Sequence, residues 1–167
     1  MTDPLHKYIS LLKQKGAVHV KTIDTDTIVV APWTIMKCRY GCPRYGKNRS
    51  CPPFAPAAEE TQKILQCYSR AILFSVSSMD SGTPAALECA SALTNDGFYK
   101  VIAFGTGPCT LCKECSLADC PQPHRVAPSM EACGIDVVAT VRAAGLPINI
   151  PPKPDEPLNC YGLLLVD

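Results

Sequence analysis

The sequence predicts an α/β or α+β domain in which helices flank a small sheet that carries two cysteine-rich loops. Short apolar runs bounded by turn residues predict strands, and segments with apolar residues at helical spacing separate them. Seven of the eleven cysteines fall into two short segments without regular periodicity. Since 167 residues are enough to bury a core, we expect a single domain over residues 1–167.

The first elements are a helix, two strands and a loop. Residues 4–15 predict a helix, because apolar residues recur at helical spacing and Gly16 follows as a stop signal. Residues 18–23 and 27–31 predict two strands that a polar turn joins into a hairpin. No periodicity is present over residues 37–56, so this segment is expected to be irregular.

The rest of the chain alternates helices with short, continuous apolar runs that predict buried strands. The last predicted helix places six apolar residues on one face, with Ser129 as its cap and Gly145 as its stop. The proline-rich residues 147–157 predict an extended connection. In chain order the predicted elements are a helix at 57–68, a strand at 71–75, a helix at 84–93, a strand at 100–104, a helix at 129–144 and a strand at 161–166.

The composition bears on compartment and partners. The formal net charge is +1, which gives no overall attraction to nucleic acid, and no apolar run reaches the roughly 20 residues of a membrane span. The first residues lack the pattern of a secretory signal. We therefore expect a cytoplasmic protein with neither a nucleic acid nor a membrane as its partner. The sequence leaves open whether the chain forms a homo-oligomer.

The second cysteine segment, residues 105–128, has the spacing C-x2-C-x2-C-x4-C-P. It differs by one residue from the ferredoxin run C-x2-C-x2-C-x3-C-P, whose cysteines bind iron–sulfur clusters. Closely spaced thiolates on an irregular loop suit a soft metal, because its ligands must converge within a few ångströms. The predicted ligands in this segment are Cys109, Cys112, Cys115 and Cys120.

The first cysteine segment, residues 36–56, contributes three further predicted ligands, Cys38, Cys42 and Cys51. It contains no acidic residue between Lys37 and Ser50. Its cations could stabilise an anionic cluster, or they could attract an anionic substrate or an acidic redox partner. An ordinary solvated basic loop is the alternative. The five cations are Lys37, Arg39, Arg44, Lys47 and Arg49.

Cys133 completes a set of eight thiols, the number that two four-thiolate sites require. Two [4Fe-4S] clusters are favoured over two zinc ions, because zinc sites present separate C-x2-C pairs and this chain has overlapping triplets. Disulfides are disfavoured by the odd cysteine count and by a reducing compartment. We expect Cys67, Cys89 and Cys160 to be packing residues.

Three blocks of sequence occur in the order CRYGCPRYGKNRSCPPFAP, GPCTLCKECSLADCP and APSMEACGIDV. In these blocks the chain resembles the predicted metal-binding proteins of domain of unknown function 2284. The resemblance implies metal binding, a source among anaerobic bacteria and archaea, and membership of Cys133 in the ligand set. It implies no activity, because none is established for the family.

The functional hypothesis is a small protein with two [4Fe-4S] clusters that passes electrons to a redox partner protein, because cysteines supply every predicted ligand and no separate catalytic set is apparent. One alternative is an enzyme with an open-site [4Fe-4S] cluster that acts on an anionic or sulfur-containing substrate. A second alternative is a zinc-stabilised interaction module without a redox role.

Overall fold

A computed structural model describes residues 4–150, 155 and 158–167 of the chain. Within these residues four strands form one sheet in the order β1-β2-β4-β3, and every neighbouring pair is antiparallel. The fold is therefore α+β, one of the two predicted classes. The strands are β1 (Ala17–Asp24), β2 (Arg70–Val76), β3 (Val101–Phe104) and β4 (Cys160–Val166).

Five α-helices accompany the sheet in the described part of the chain. The predicted helices at 4–15, 57–68 and 84–93 are confirmed, although the third is longer than predicted. None of the helices in the described ranges is long and apolar enough to cross a membrane. The helices are α1 (His6–Gln14), α2 (Trp33–Gly41), α3 (Ala58–Leu65), α4 (Met79–Asn95) and α5 (Val137–Ala143).

The sheet is covered on both faces, which explains why its central strands are continuous apolar runs. Alternate residues of β2 and β4 point to opposite sides, so each strand contributes to two cores. On one face Ile72, Phe74 and Leu164 pack against α1 and α4. On the other face Leu73 and Leu163 pack against α5 and the segment that precedes it.

One end of the sheet brings several distant parts of the chain together. The end of β2 lies opposite both the start of β1 and the start of β4, through the pairs Ala17–Val76 and Val76–Cys160. The end of β3 lies beside β4 and leads directly into the second cysteine segment. We call this edge, with the starts of β1 and β4 and the ends of β2 and β3, the site end of the sheet.

The predicted hairpin between residues 18–23 and 27–31 is wrong. The first segment is β1, but it pairs with β2, which lies more than forty residues further along the chain. Thr25 begins a short 3-10 turn and is tied to the residues before β2, because its hydroxyl donates to the carbonyl of Tyr68 at 2.6 Å. Pairing of β1 with β2, a buried strand of seven residues, is therefore favoured over pairing with residues 27–31 across the local turn.

The first cysteine segment is not wholly irregular as predicted, because α2 extends into it as far as Gly41. The helix carries no apolar stripe, so the periodicity that identifies helices in a sequence is absent. Its N-terminal end is held by two contacts with the segment before α5. The Ala31 amide donates to the carbonyl of Gly134 at 2.7 Å, and the Thr34 hydroxyl donates to the carbonyl of Glu131 at 3.2 Å.

The predicted helix at 129–144 is interrupted. A 3-10 turn spans Glu131–Cys133 and ends at Gly134, whose φ of 82° is left-handed. The chain then restarts at α5, where a carboxylate oxygen of Asp136 accepts from the Ala139 amide at 2.9 Å. Apolar periodicity continued across this break, so the periodic pattern alone predicted one helix.

Gly134 tests how tightly this break is packed. A Cβ built on it would lie 2.7 Å from the Cβ of Ala58, whereas Gly16 has the same left-handed backbone with open space around it. We expect Gly134→Ala to lower the free energy of unfolding by roughly 2–5 kcal/mol, because strain and overpacking add. Gly16→Ala should cost about 1–2 kcal/mol from the backbone alone. Equal losses in denaturant unfolding would contradict the close packing.

Candidate metal sites

The four cysteines of the second segment line one cleft of about 260 Å³, which we call the second-motif cleft. Cys109 and Cys115 are partly buried there, and Cys112 is exposed. The opposite wall comes from the first segment and is basic. It contains Arg44, Lys47 and Arg49.

Two buried polar residues hold the two cysteine segments together. Asn48 and Ser50 are 5% and 3% exposed. The Asn48 side-chain amide donates to the carbonyl of Cys109 at 2.7 Å, and the Cys109 amide donates to the Ser50 hydroxyl at 3.0 Å. The Ser50 hydroxyl donates in turn to the Asn48 side-chain oxygen at 2.8 Å. We call these three hydrogen bonds the inter-loop bridge.

The bridge places a backbone donor beside one of the thiols. The Arg49 amide lies 3.4 Å from the Cys115 sulfur and donates to it. Hydrogen bonds to sulfur and nearby cations both stabilise a thiolate and raise the reduction potential of a cluster that it binds. The donor set of this cleft, four thiols under a basic wall, therefore fits an iron–sulfur cluster.

The three cysteines of the first segment line a larger cavity of about 550 Å³, which we call the first-motif cavity. Burial raises the pKa of the Cys38 thiol, and the neighbouring Cys42 raises it further. Burial likewise raises the pKa of the Cys51 thiol, with smaller contributions from Cys42 and Cys38. The three thiols line one cavity, and a bound cation would remove the repulsion between their thiolate forms.

The remaining wall of the first-motif cavity is largely apolar, with a few charged groups. Trp33 comes from α2, and Lys37 lies over its indole ring at 5.6 Å. Glu131 faces the cavity from the 3-10 turn. Cys160 reaches the same cavity from the start of β4 and is half-buried. Burial raises the pKa of this thiol, and the Glu131 carboxylate contributes in the same direction.

The structure brings seven of the eight predicted ligands to these two cavities and leaves Cys133 elsewhere. Cys133 is fully buried in the core beneath the sheet and lines neither cavity. Burial raises the pKa of its thiol to about 12. Its carbonyl accepts from the Thr61 hydroxyl at 2.6 Å, which ties the residue to α3. The role of Cys133 as a ligand stays a prediction.

The thiols of each set are near one another but not arranged as a finished coordination shell. Among the residues that the structure describes, no three histidine, cysteine, aspartate or glutamate side chains could hold one metal ion as they stand. The side chains of each set would have to turn toward a common centre on binding. Thiolates are the donors that iron–sulfur clusters and zinc both use, so the donor chemistry fits either.

Sequence reasoning missed the inter-loop bridge and the position of Cys160. Asn48 and Ser50 stand among basic residues in a segment for which a solvated loop was the alternative interpretation, and nothing local indicates that they are buried. Cys160 follows the proline-rich connection, far along the chain from both motifs. Its place in the cavity follows only from the pairing of β4 with β2.

Replacing Ser50 tests the inter-loop bridge. Ser50→Ala leaves the partly buried Cys109 amide without its acceptor, so we expect the free energy of unfolding to fall by about 1–3 kcal/mol. Ser10→Ala is the matched control, since its exposed hydroxyl only donates to a carbonyl within α1, and it should change stability by less than about 0.5 kcal/mol. Denaturant unfolding of the metal-free protein measures both. Equal stabilities of the two variants would contradict the bridge.

Comparison with known proteins bears on this chemistry. Residues 21–166 match a family described as predicted metal-binding protein, domain of unknown function 2284. No curated protein matches the chain, and no solved structure does. The match covers both cysteine segments, the strands β2, β3 and β4, and the second half of β1. The chain therefore belongs to this family of predicted metal-binding proteins.

Proposed function

We propose that this protein binds two [4Fe-4S] clusters and passes electrons to a partner protein. The second-motif cleft would hold one cluster through Cys109, Cys112, Cys115 and Cys120. The first-motif cavity would hold the other through Cys38, Cys42, Cys51 and one further donor. When bound, such clusters supply one-electron transfer.

The observation that carries this proposal is the convergence of four thiols on one cleft whose facing wall is basic. A cluster with four thiolates is anionic, so Arg44 and Lys47 would lower the cost of its charge. The Arg49 amide already donates to the Cys115 sulfur, as expected for a thiolate ligand. The chain itself thus provides both the ligands and their electrostatic support.

The same cations suggest the character of the partner. Lys47 and Arg49 are exposed on the rim of the second-motif cleft, and Arg44 is exposed beside them. Positive charge around a redox centre raises the rate at which an acidic protein associates with it. Added salt screens this attraction and so lowers the rate. We therefore propose that the partner presents an acidic face to this rim.

The size of the first-motif cavity supports a second candidate function. Its volume of about 550 Å³ lies within the range of small-molecule sites, and it contains three motif cysteines rather than four. A cluster with three protein ligands leaves one iron available as a Lewis acid. Lys37 on the cavity wall would then attract an anionic or sulfur-containing substrate.

Iron incorporation tests the two-cluster proposal. Anaerobic reconstitution with iron and sulfide should give about eight iron ions per chain, and a brown protein whose visible absorption bleaches on reduction. Cys112→Ala combined with Cys115→Ala should remove about half of the iron. The control Cys67→Ala should remove none, since Cys67 is exposed and lines neither cavity. Zinc uptake without iron would replace the proposal with the zinc-stabilised module.

Charge reversal on the rim tests the acidic partner. With a chemically reduced acidic ferredoxin as the probe, Lys47→Glu should slow electron transfer into the reconstituted protein about tenfold at low salt. Lys63→Glu changes the charge equally, but Lys63 is exposed near the end of α3, which leads to the start of β2 at the opposite end of the sheet, and it lines neither cavity, so this variant should keep most of the rate. Stopped-flow absorbance measures both. Equal rates, or no dependence on salt, would contradict an electrostatic docking surface.

A further inference from the structure

The first-motif cavity lacks a fourth thiol from its own segment, and the structure offers one from an unexpected place. Cys160 lies at the start of β4 and lines the same cavity as Cys38, Cys42 and Cys51. We propose that Cys160, and not Cys133, is the fourth ligand of the first-motif site. This inference rests on the proposed function, because it completes one of the two clusters.

Cys160 is positioned by the sheet. It pairs with Val76 at the site end, and the residues that follow it in β4 are buried, so its backbone is held in place. Cys160 packs against the core on the α1 and α4 face, but it is only partly buried and lines the cavity, so it is not enclosed by the core. A rigid backbone with an accessible side chain is the arrangement that metal ligands need.

The lining of the first-motif cavity brings Cys160 together with the other cysteines. Cys38 from α2 and Glu131 from the 3-10 turn line the same cavity as Cys160. The 3-10 turn contacts α2, because the Thr34 hydroxyl donates to the carbonyl of Glu131 at 3.2 Å. The start of β4 and the end of α2 therefore open onto one cavity.

Cys133 has the opposite properties. Glu131 acts on its thiol as well, but Cys133 has no exposed surface and lines neither cavity. It packs among apolar side chains beneath the sheet, including Met130 and Ile135. Binding a cluster there would require the core to open, whereas Cys160 already lines the cavity and is only partly buried. A buried cysteine among apolar neighbours behaves as a small hydrophobic residue.

The consequence concerns the two candidate functions. With Cys160 bound, the first-motif cluster has four thiolates and no open iron. Such a cluster suits electron transfer and removes the basis for Lewis-acid catalysis at that site. The fourth ligand therefore decides between the two functions.

Metal content of three variants tests the assignment. After anaerobic reconstitution, Cys160→Ala should lose between one iron ion and one whole cluster, with a changed electron paramagnetic resonance spectrum. Cys133→Ala should keep the iron content and the spectrum of the wild type, even if it is less stable. Cys89→Ala is the control, because Cys89 is also a fully buried core cysteine but lies on the other face of the sheet. Circular dichroism of each metal-free variant verifies that it is folded.

Several outcomes would overturn the assignment. Loss of iron from Cys133→Ala but not from Cys160→Ala would make Cys133 the ligand. Full iron in both variants would mean that the site has three thiolates. If the wild type binds no iron, the two-cluster function fails, but the assignment can still be tested. Titration with Co²⁺ should then give weaker thiolate-to-cobalt absorption in Cys160→Ala than in Cys133→Ala. Equal absorption in the two variants would reject the assignment of Cys160 as the fourth ligand.

Discussion

The arrangement of both candidate sites depends on one buried group of hydrogen bonds. The Asn48 side chain donates to the carbonyl of Cys109, and the Ser50 hydroxyl accepts from the amide of the same residue. Buried polar groups are costly unless they are paired, so these residues make the contact between the two cysteine segments specific. The basic wall of the second-motif cleft follows from this contact, because Arg49 lies between the two bridging residues.

The sheet supplies the second constraint. β2 and β4 are buried on both faces, so their register cannot slip by one residue without exposing an entire set of apolar side chains. That register sets Cys160 opposite Val76 and directs the chain after β3 toward the first cysteine segment. The candidate sites thus lie on irregular loops that a rigid antiparallel sheet positions at one end.

Local signals in the sequence predicted much of this fold and little of its long-range pairing. β2 and β4 are continuous apolar runs with clear boundaries, and the spacing of the cysteines was by itself enough to indicate a metal site. The hairpin failed because the partner of β1 is distant in the chain, and the helix at 129–144 failed because Gly134 interrupts a periodic pattern. Cys160 was expected to be a packing residue and does pack against the core on the α1 and α4 face, but nothing next to it in sequence points to the cavity that it also lines.

The inter-loop bridge has a further consequence for the space between the two cavities. Cys51 follows Ser50 directly in the chain, and the Ser50 hydroxyl accepts the amide proton of Cys109. One peptide unit, one serine side chain and one hydrogen bond therefore connect a thiol of the first-motif cavity to a thiol of the second-motif cleft. The residue that holds the loops together therefore also links the proposed ligands of the two sites by a path of far fewer atoms than the chain between them.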